Sequence, residues 1–168
     1  MNKLILIIAF GFAIGFAGCK KDNMDFANST GTHPDVPVTV SDVSGYYNGV
    51  PYVSTSLSGG GAITIKLNIP AGSGRSIKEI TRVALGTTTS NYVVVQRTTG
   101  LYNTAAIAGN GTSATFTTTL AEYTSKTGLA VTTSGGATTF LARYFYFLIT
   151  LDDGTPLIPV PVRVYVNS

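Results

Sequence analysis

The run Ile63-Thr-Ile-Lys-Leu-Asn-Ile69 alternates apolar and polar residues without a fault. Successive side chains of an extended chain point to opposite faces. Ile63, Ile65, Leu67 and Ile69 therefore go to a core, while Thr64, Lys66 and Asn68 meet water. A strand buried on one face needs a second layer to cover it, so this pattern constrains the whole fold. Ala114-Thr-Phe-Thr-Thr-Thr-Leu120 repeats the alternation.

Turn signals punctuate the remainder. Pro70 to Gly74 breaks the first strand, and Ile77 to Leu85 and Tyr92 to Thr98 read as strands on either side of the Gly86–Ser90 turn cluster. Asn110-Gly111 is a hairpin signal, because both residues tolerate positive φ. Phe140 to Leu151, the Asp152-Asp153-Gly154 turn and Leu157 to Val166 form a terminal antiparallel hairpin. Pro159 and Pro161 lack an N–H for a ladder, which confines the first half of that last strand to a sheet edge. Its alternation sends Val160, Val162, Val164 and Val166 to the core and Arg163 and Tyr165 outward. One short helix is expected. Thr119-Leu-Ala-Glu122 fits a capping box and Gly128 suits the stop.

Composition agrees with a β protein. Residues after about Val36 are rich in Thr, Val, Ile, Tyr and Gly, and they number roughly 130, enough for one domain with its own core. The expected fold is an all-β antiparallel sandwich with one short helical crossover. That crossover before a terminal hairpin resembles the linkage into the last two strands of immunoglobulin-like sandwiches, an architectural likeness that carries no function with it.

The only cysteine lies in GFAGCKKD, where a greasy run turns polar. A short basic start, an apolar stretch of about a dozen residues and small residues before a cleavage point have the layout of a secretory signal. A spanning helix needs roughly 20 apolar residues, and this stretch stops short. Phe16-Ala17-Gly18-Cys19 resembles a bacterial lipobox, with Phe16 where the family prefers Leu or another aliphatic residue. The resemblance implies cleavage before Cys19 and a thioether to diacylglycerol on its sulfur. Lys20-Lys21-Asp22 and Asn23-Met24-Asp25 resemble the charged starts of mature Bacteroidetes lipoproteins. The expected organisation is a signal peptide over residues 1–18, a lipidated N-terminus and flexible tether over 19–36, and the sandwich over 37–168. An outer-membrane anchorage follows from the resemblance, with the domain periplasmic or surface-exposed. A single cysteine also excludes an intrachain disulfide, so the fold must stand on its core.

Chemistry-bearing residues are sparse. Without Lys3, ten basic residues face eight acidic ones (11 − 1 = 10), so the mature chain is nearly neutral. The basic residues beyond position 60 stand singly, unlike the clustered Lys and Arg of a nucleic-acid binder, and no nucleic-acid partner is expected. His33 lies in the tether before Pro34, without a rigid shell to position it. No Cys/His cluster suits a transition metal, and no serine or threonine sits in a nucleophile elbow. Asp152 and Asp153 are either oxygen donors to calcium at a loop tip or simply turn residues. Glycine-rich pieces at Ser58–Ala62, Ala71–Ser76 and Thr133–Thr138 lack the phosphate-loop spacing. The expectation is therefore a protein that is not an enzyme, with no cofactor and no metal site.

Aromatic residues are the remaining lead. Tyr46-Tyr47-Asn48-Gly49-Val50-Pro51-Tyr52 gathers three tyrosines around an Asn-Gly turn. Exposed, Tyr46, Tyr47 and Tyr52 form a platform for sugar rings or stiff peptides; half-buried, they are ordinary strand residues. The expected partners are the membrane, through lipid on Cys19, and a glycan or another envelope protein. The layout resembles that of small lipoproteins that assist polysaccharide uptake. The alternative is a subunit of an adhesive or assembly complex, with a hydrolase further behind.

Overall fold

The computed structural model describes residues 36–131 and 139–168. The expected signal peptide, Cys19, His33 and the piece Thr133–Thr138 lie outside the described residues. Eleven strands run through the remainder: β1 (Thr39–Ser41), β2 (Gly45–Tyr47), β3 (Val50–Ser56), β4 (Ala62–Asn68), β5 (Ile77–Gly86), β6 (Ile107–Ala108), β7 (Ser113–Thr119), β8 (Thr139–Phe140), β9 (Tyr144–Leu151), β10 (Pro156–Leu157) and β11 (Arg163–Asn167). Two helices join them, α1 (Val93–Gln96) and α2 (Leu120–Thr127).

The chain is an all-β sandwich. One layer is β1-β4-β7. The other joins β10-β9-β5-β6 to β2-β3-β11-β8 through the Phe145–Val162 bridge. Ile63, Ile65 and Leu67 are buried, as their alternation requires, and they face Ile80, Val83, Phe147 and Val164 across the interior. Phe116 on β7 fills the middle, with its ring centroid 5.6 Å from those of both Phe145 and Phe147. α2 follows β7 directly, as the expected short helical crossover of the sandwich.

The sandwich is not antiparallel throughout. β11 runs parallel to β3, with Arg163 opposite Tyr52 and Asn167 opposite Ser56. Parallel neighbours need a long crossover, and here the connection is nearly the whole domain. No local signal in the sequence announces such a pair.

Three local expectations also change. Tyr92 to Thr98 is not a strand. Its middle folds into α1, with Val95 buried against Ala84 and Tyr146 on the outer face of the β5–β9 sheet. Asn110-Gly111 does turn the chain, with only Gly111 at positive φ, but the flanking β6 and β7 enter different layers instead of pairing as a hairpin. In the last strand Val160 is exposed while Pro159 and Pro161 are buried. Leu157 pairs with Ile149 and Val162 with Phe145, so this side contains one more residue than its partner. That bulge, set where two prolines cannot feed a ladder, reverses the parity. Beyond it Val162, Val164 and Val166 are buried as their alternation predicts.

The helix forms where its capping signal places it. The Glu122 N–H donates to Thr119 Oγ1 at 3.1 Å, and Gly128 closes the other end at φ 69°. The Glu122 carboxylate does not complete the reciprocal cap. It accepts from the Thr118 hydroxyl at 2.9 Å and pairs with Lys126 at 2.9 Å. Lys126 first and Thr118 second hold its carboxyl below the usual range. The Lys126 ammonium also lies 4.5 Å from the centre of the Tyr102 ring, which fastens α2 to the loop before β6.

Candidate functional site: an aromatic face around Arg163

Asn48 and Gly49 both have positive φ, 51° and 79°, so the β2–β3 hairpin closes on the two-residue turn its sequence specifies. The register sets Gly45 opposite Tyr52 and Tyr47 opposite Val50. Directly opposed residues share a face, so Gly45, Tyr47 and Tyr52 stand together and Tyr46 falls on the other side. Gly45 is needed beneath Tyr52, because a Cβ there would stand 2.7 Å from the Tyr52 oxygen and 2.9 Å from Cε1.

The parallel pairing then brings in residues more than a hundred positions away. Arg163 lies beside Tyr52, and β8 places Phe140 opposite Tyr165. The rings touch in a chain. Centroids lie 5.1 Å apart for Tyr47–Phe140, 5.5 Å for Tyr52–Phe140, 4.9 Å for Phe140–Tyr165 and 5.8 Å for Tyr52–Tyr165. These are tilted or edge-on contacts, the arrangement ring quadrupoles favour. Arg163 sits in their midst, its guanidinium carbon 4.0 Å from the Phe140 centroid, 4.9 Å from Tyr144 and 5.3 Å from Tyr47. Its Nε is buried and faces rings, with no hydrogen-bond partner among the described residues.

Of the three tyrosines singled out by sequence, Tyr47 and Tyr52 join this cluster. Tyr46 does not, although at 67% exposure it is the most open of the large apolar side chains described. Phe140, Tyr144, Arg163 and Tyr165 are the members that sequence reasoning missed as site residues. Arg163 and Tyr165 were legible as outward positions of the last strand; what joins them to Tyr52 is the parallel register.

Other candidates recede. Asp152 and Asp153 are not open oxygen donors. Arg75 contacts both carboxylates, at 2.9 Å for Asp152, and Asp153 accepts the Thr155 N–H at 2.8 Å. The described glycine-rich pieces are a turn between β3 and β4 and a 3-10 turn before β5. No group of three or more His, Cys, Asp or Glu lies together among the described residues. A cleft of about 150 Å³ opens between Tyr123, Leu129, Val131 and Phe140. That is below the roughly 300–1,000 Å³ of small-molecule pockets, so the broad face is the stronger feature. Among the described residues no helix is long and apolar enough to cross a membrane. Comparison with protein-family models, curated proteins and solved structures finds no match to the chain.

Proposed function

We propose that the chain is a cell-envelope lipoprotein, lipidated on Cys19 and held at the outer membrane, whose sandwich captures a glycan without catalysing a reaction. The observation that carries the binding half is the ring cluster of Tyr47, Tyr52, Phe140 and Tyr165 on one outer face of the domain. Rings supply large, stiff contact area at low entropy cost and suit stacking on the apolar faces of sugars. The anchoring half rests on the lipobox resemblance at Phe16–Cys19. One fatty chain binds a membrane only marginally, at about 0.8 kcal/mol per buried methylene, while several hold firmly.

Two measurements test the halves separately. Mass spectrometry of the mature N-terminus should find a lipidated Cys19, and Cys19→Ser should leave the chain unprocessed; an unmodified terminus at another residue removes the anchor. Retention of the soluble domain by an immobilised polysaccharide panel should fall in Tyr47→Ala and Tyr52→Ala, with a smaller change in Tyr46→Ala. Retention unchanged in both cluster variants removes the platform.

A second reading, a subunit of an adhesive or assembly complex, is favoured by β7. This seven-residue strand stands at the end of its layer, where edge strands pair with other chains. Oligomer ladders stable in mild detergent would support it.

A further inference from the structure

The glycan reading leaves open which class of sugar the face takes, and the charge pattern around it answers that. Strands β2, β3, β8 and β11, which build the face, hold no acidic residue and one charged residue, Arg163. Of the described carboxylates outside these strands, Glu122 pairs with Lys126, Asp152 and Asp153 with Arg75, Glu79 accepts from the Thr81 hydroxyl, and Asp42 lies in the loop between β1 and β2. No ion pair to Arg163 exists among the described residues. The rings of Phe140, Tyr144 and Tyr47 surround its guanidinium.

A guanidinium held among rings is preorganised, because the stack fixes the long side chain that would otherwise be ordered on binding. Ring faces attract the cation but accept none of its hydrogen bonds as a carboxylate does. An anion arriving at the exposed rim of the group therefore gains a charge-assisted contact with no ion-paired carboxylate to displace. A neutral sugar gains only the ring contacts.

We propose that this face is a subsite for an anionic glycan: Tyr47, Tyr52 and Phe140 stack on the sugar while Arg163 receives its carboxylate or sulfate. The proposal rests on the glycan reading above and assigns Arg163 the role of selecting charge. Arg163 is a specificity residue, and the rings supply the affinity shared by all sugars.

The test uses affinity electrophoresis of the soluble domain in gels containing polygalacturonate, its carboxyl-reduced counterpart, dextran sulfate or dextran. Retardation by at least one acidic polymer should exceed that by its neutral counterpart, and it should weaken with added salt. Which acidic polymer retards more separates carboxylate from sulfate. Arg163→Gln should reduce the acidic retardation by about tenfold in apparent affinity, the loss of one charge-assisted contact. It should leave any retardation by the neutral polymer unchanged. Arg163→Lys keeps the charge and should retain part of the selectivity, while circular dichroism and thermal unfolding confirm that each variant is folded. If Arg163→Gln fails to fold, the wild-type comparison of acidic with neutral polymer decides alone. Equal retardation by acidic and neutral polymers, lost in Tyr47→Ala, would overturn the charge role and leave the glycan reading standing. No retardation by any polymer would overturn both.

Discussion

Two outer faces of the same layer carry tyrosine, and the chain treats them differently. On the β5–β9 side, Tyr146 is completely buried. The segment after β5 folds α1 across it, with Val95 buried beside it and the Tyr92 ring edge-on at 5.6 Å. Its hydroxyl donates to the Thr88 carbonyl and accepts from the Asn91 N–H. On the β3–β11 side, Tyr47 remains 48% exposed, and the described residues lay no comparable roof over it. A tyrosine whose polar tip is satisfied by the chain and whose ring is covered belongs to the core. One left open, beside a cation without a carboxylate, is available to something else. The residue type does not decide between the two roles; the covering does.

The largest separation between the faces should appear in stability. Tyr146→Ala removes a fully buried ring, and large-to-small core changes of this kind cost about 3–5 kcal/mol. Tyr47→Ala deletes a half-exposed ring and should cost under about 1 kcal/mol. Denaturant unfolding of the two variants measures both. Similar losses would mean that the β3–β11 face is a second core, and the platform would fail.

Glycines under the two rings sharpen the contrast at a smaller scale. A Cβ on Gly86 would stand 2.6 Å from Tyr146 Cε2, and a Cβ on Gly45 would stand 2.7 Å from the Tyr52 oxygen. Neither glycine has positive φ, so the backbone accepts alanine and only the ring must yield. Tyr146 is fixed by its roof, so Gly86→Ala should cost about 1–3 kcal/mol, as overpacking does. Tyr52 is half-buried and its ring can swing outward, so Gly45→Ala should stay within about 1 kcal/mol. It should still weaken glycan retention, because the swing takes Tyr52 off Phe140. If Gly45→Ala destabilises as much as Gly86→Ala, the face is rigid on both sides.

How far these faces could be read in advance depends on sequence distance. The alternation of Ile63 to Ile69, the Asn48-Gly49 turn and the Thr119 cap are specified within a few residues, and all three stand where the sequence puts them. The β3–β11 pairing is specified by nothing local, because period-two alternation says which way Arg163 and Tyr165 point but not which strand lies beside them. Val93-Val-Val reads as strand by β-branched propensity, yet there it makes one helical turn that packs Val94 and Val95 against Tyr146 and leaves Val93 exposed. Packing overrode propensity there. The bulge at Pro159–Pro161 was hidden for a related reason: two prolines signal a break in a ladder, not how many residues the break contains.

The smallest effect lies at the turn between β9 and β10, and it separates the faces by leaving both alone. The Asp153 carboxyl is held at about 2, first by the Thr155 N–H and then by the Thr155 hydroxyl and Arg75, against an ordinary 3.8. A carboxyl with a depressed folded-state pKa contributes stability that is fully present above its unfolded value. That contribution is lost as pH falls from about 4 toward 2, because the unfolded chain takes up its proton first. Asp153→Asn should flatten this part of the stability curve without changing stability near neutrality by more than a small amount, since the group is exposed and screened. β2, β3, β8 and β11 hold no acid, so Tyr47→Ala should show the wild-type slope over the same range. Tyr146→Ala should show that slope too, displaced downward, because Tyr146 stays protonated far above this range. Chemical unfolding midpoints between pH 2 and 5 for the four proteins would check it. An unchanged acid slope in Asp153→Asn would remove the turn as its source. A slope altered only in Tyr47→Ala would place a titrating group from outside its four strands, such as Asp42 of the β1–β2 loop, against the open face.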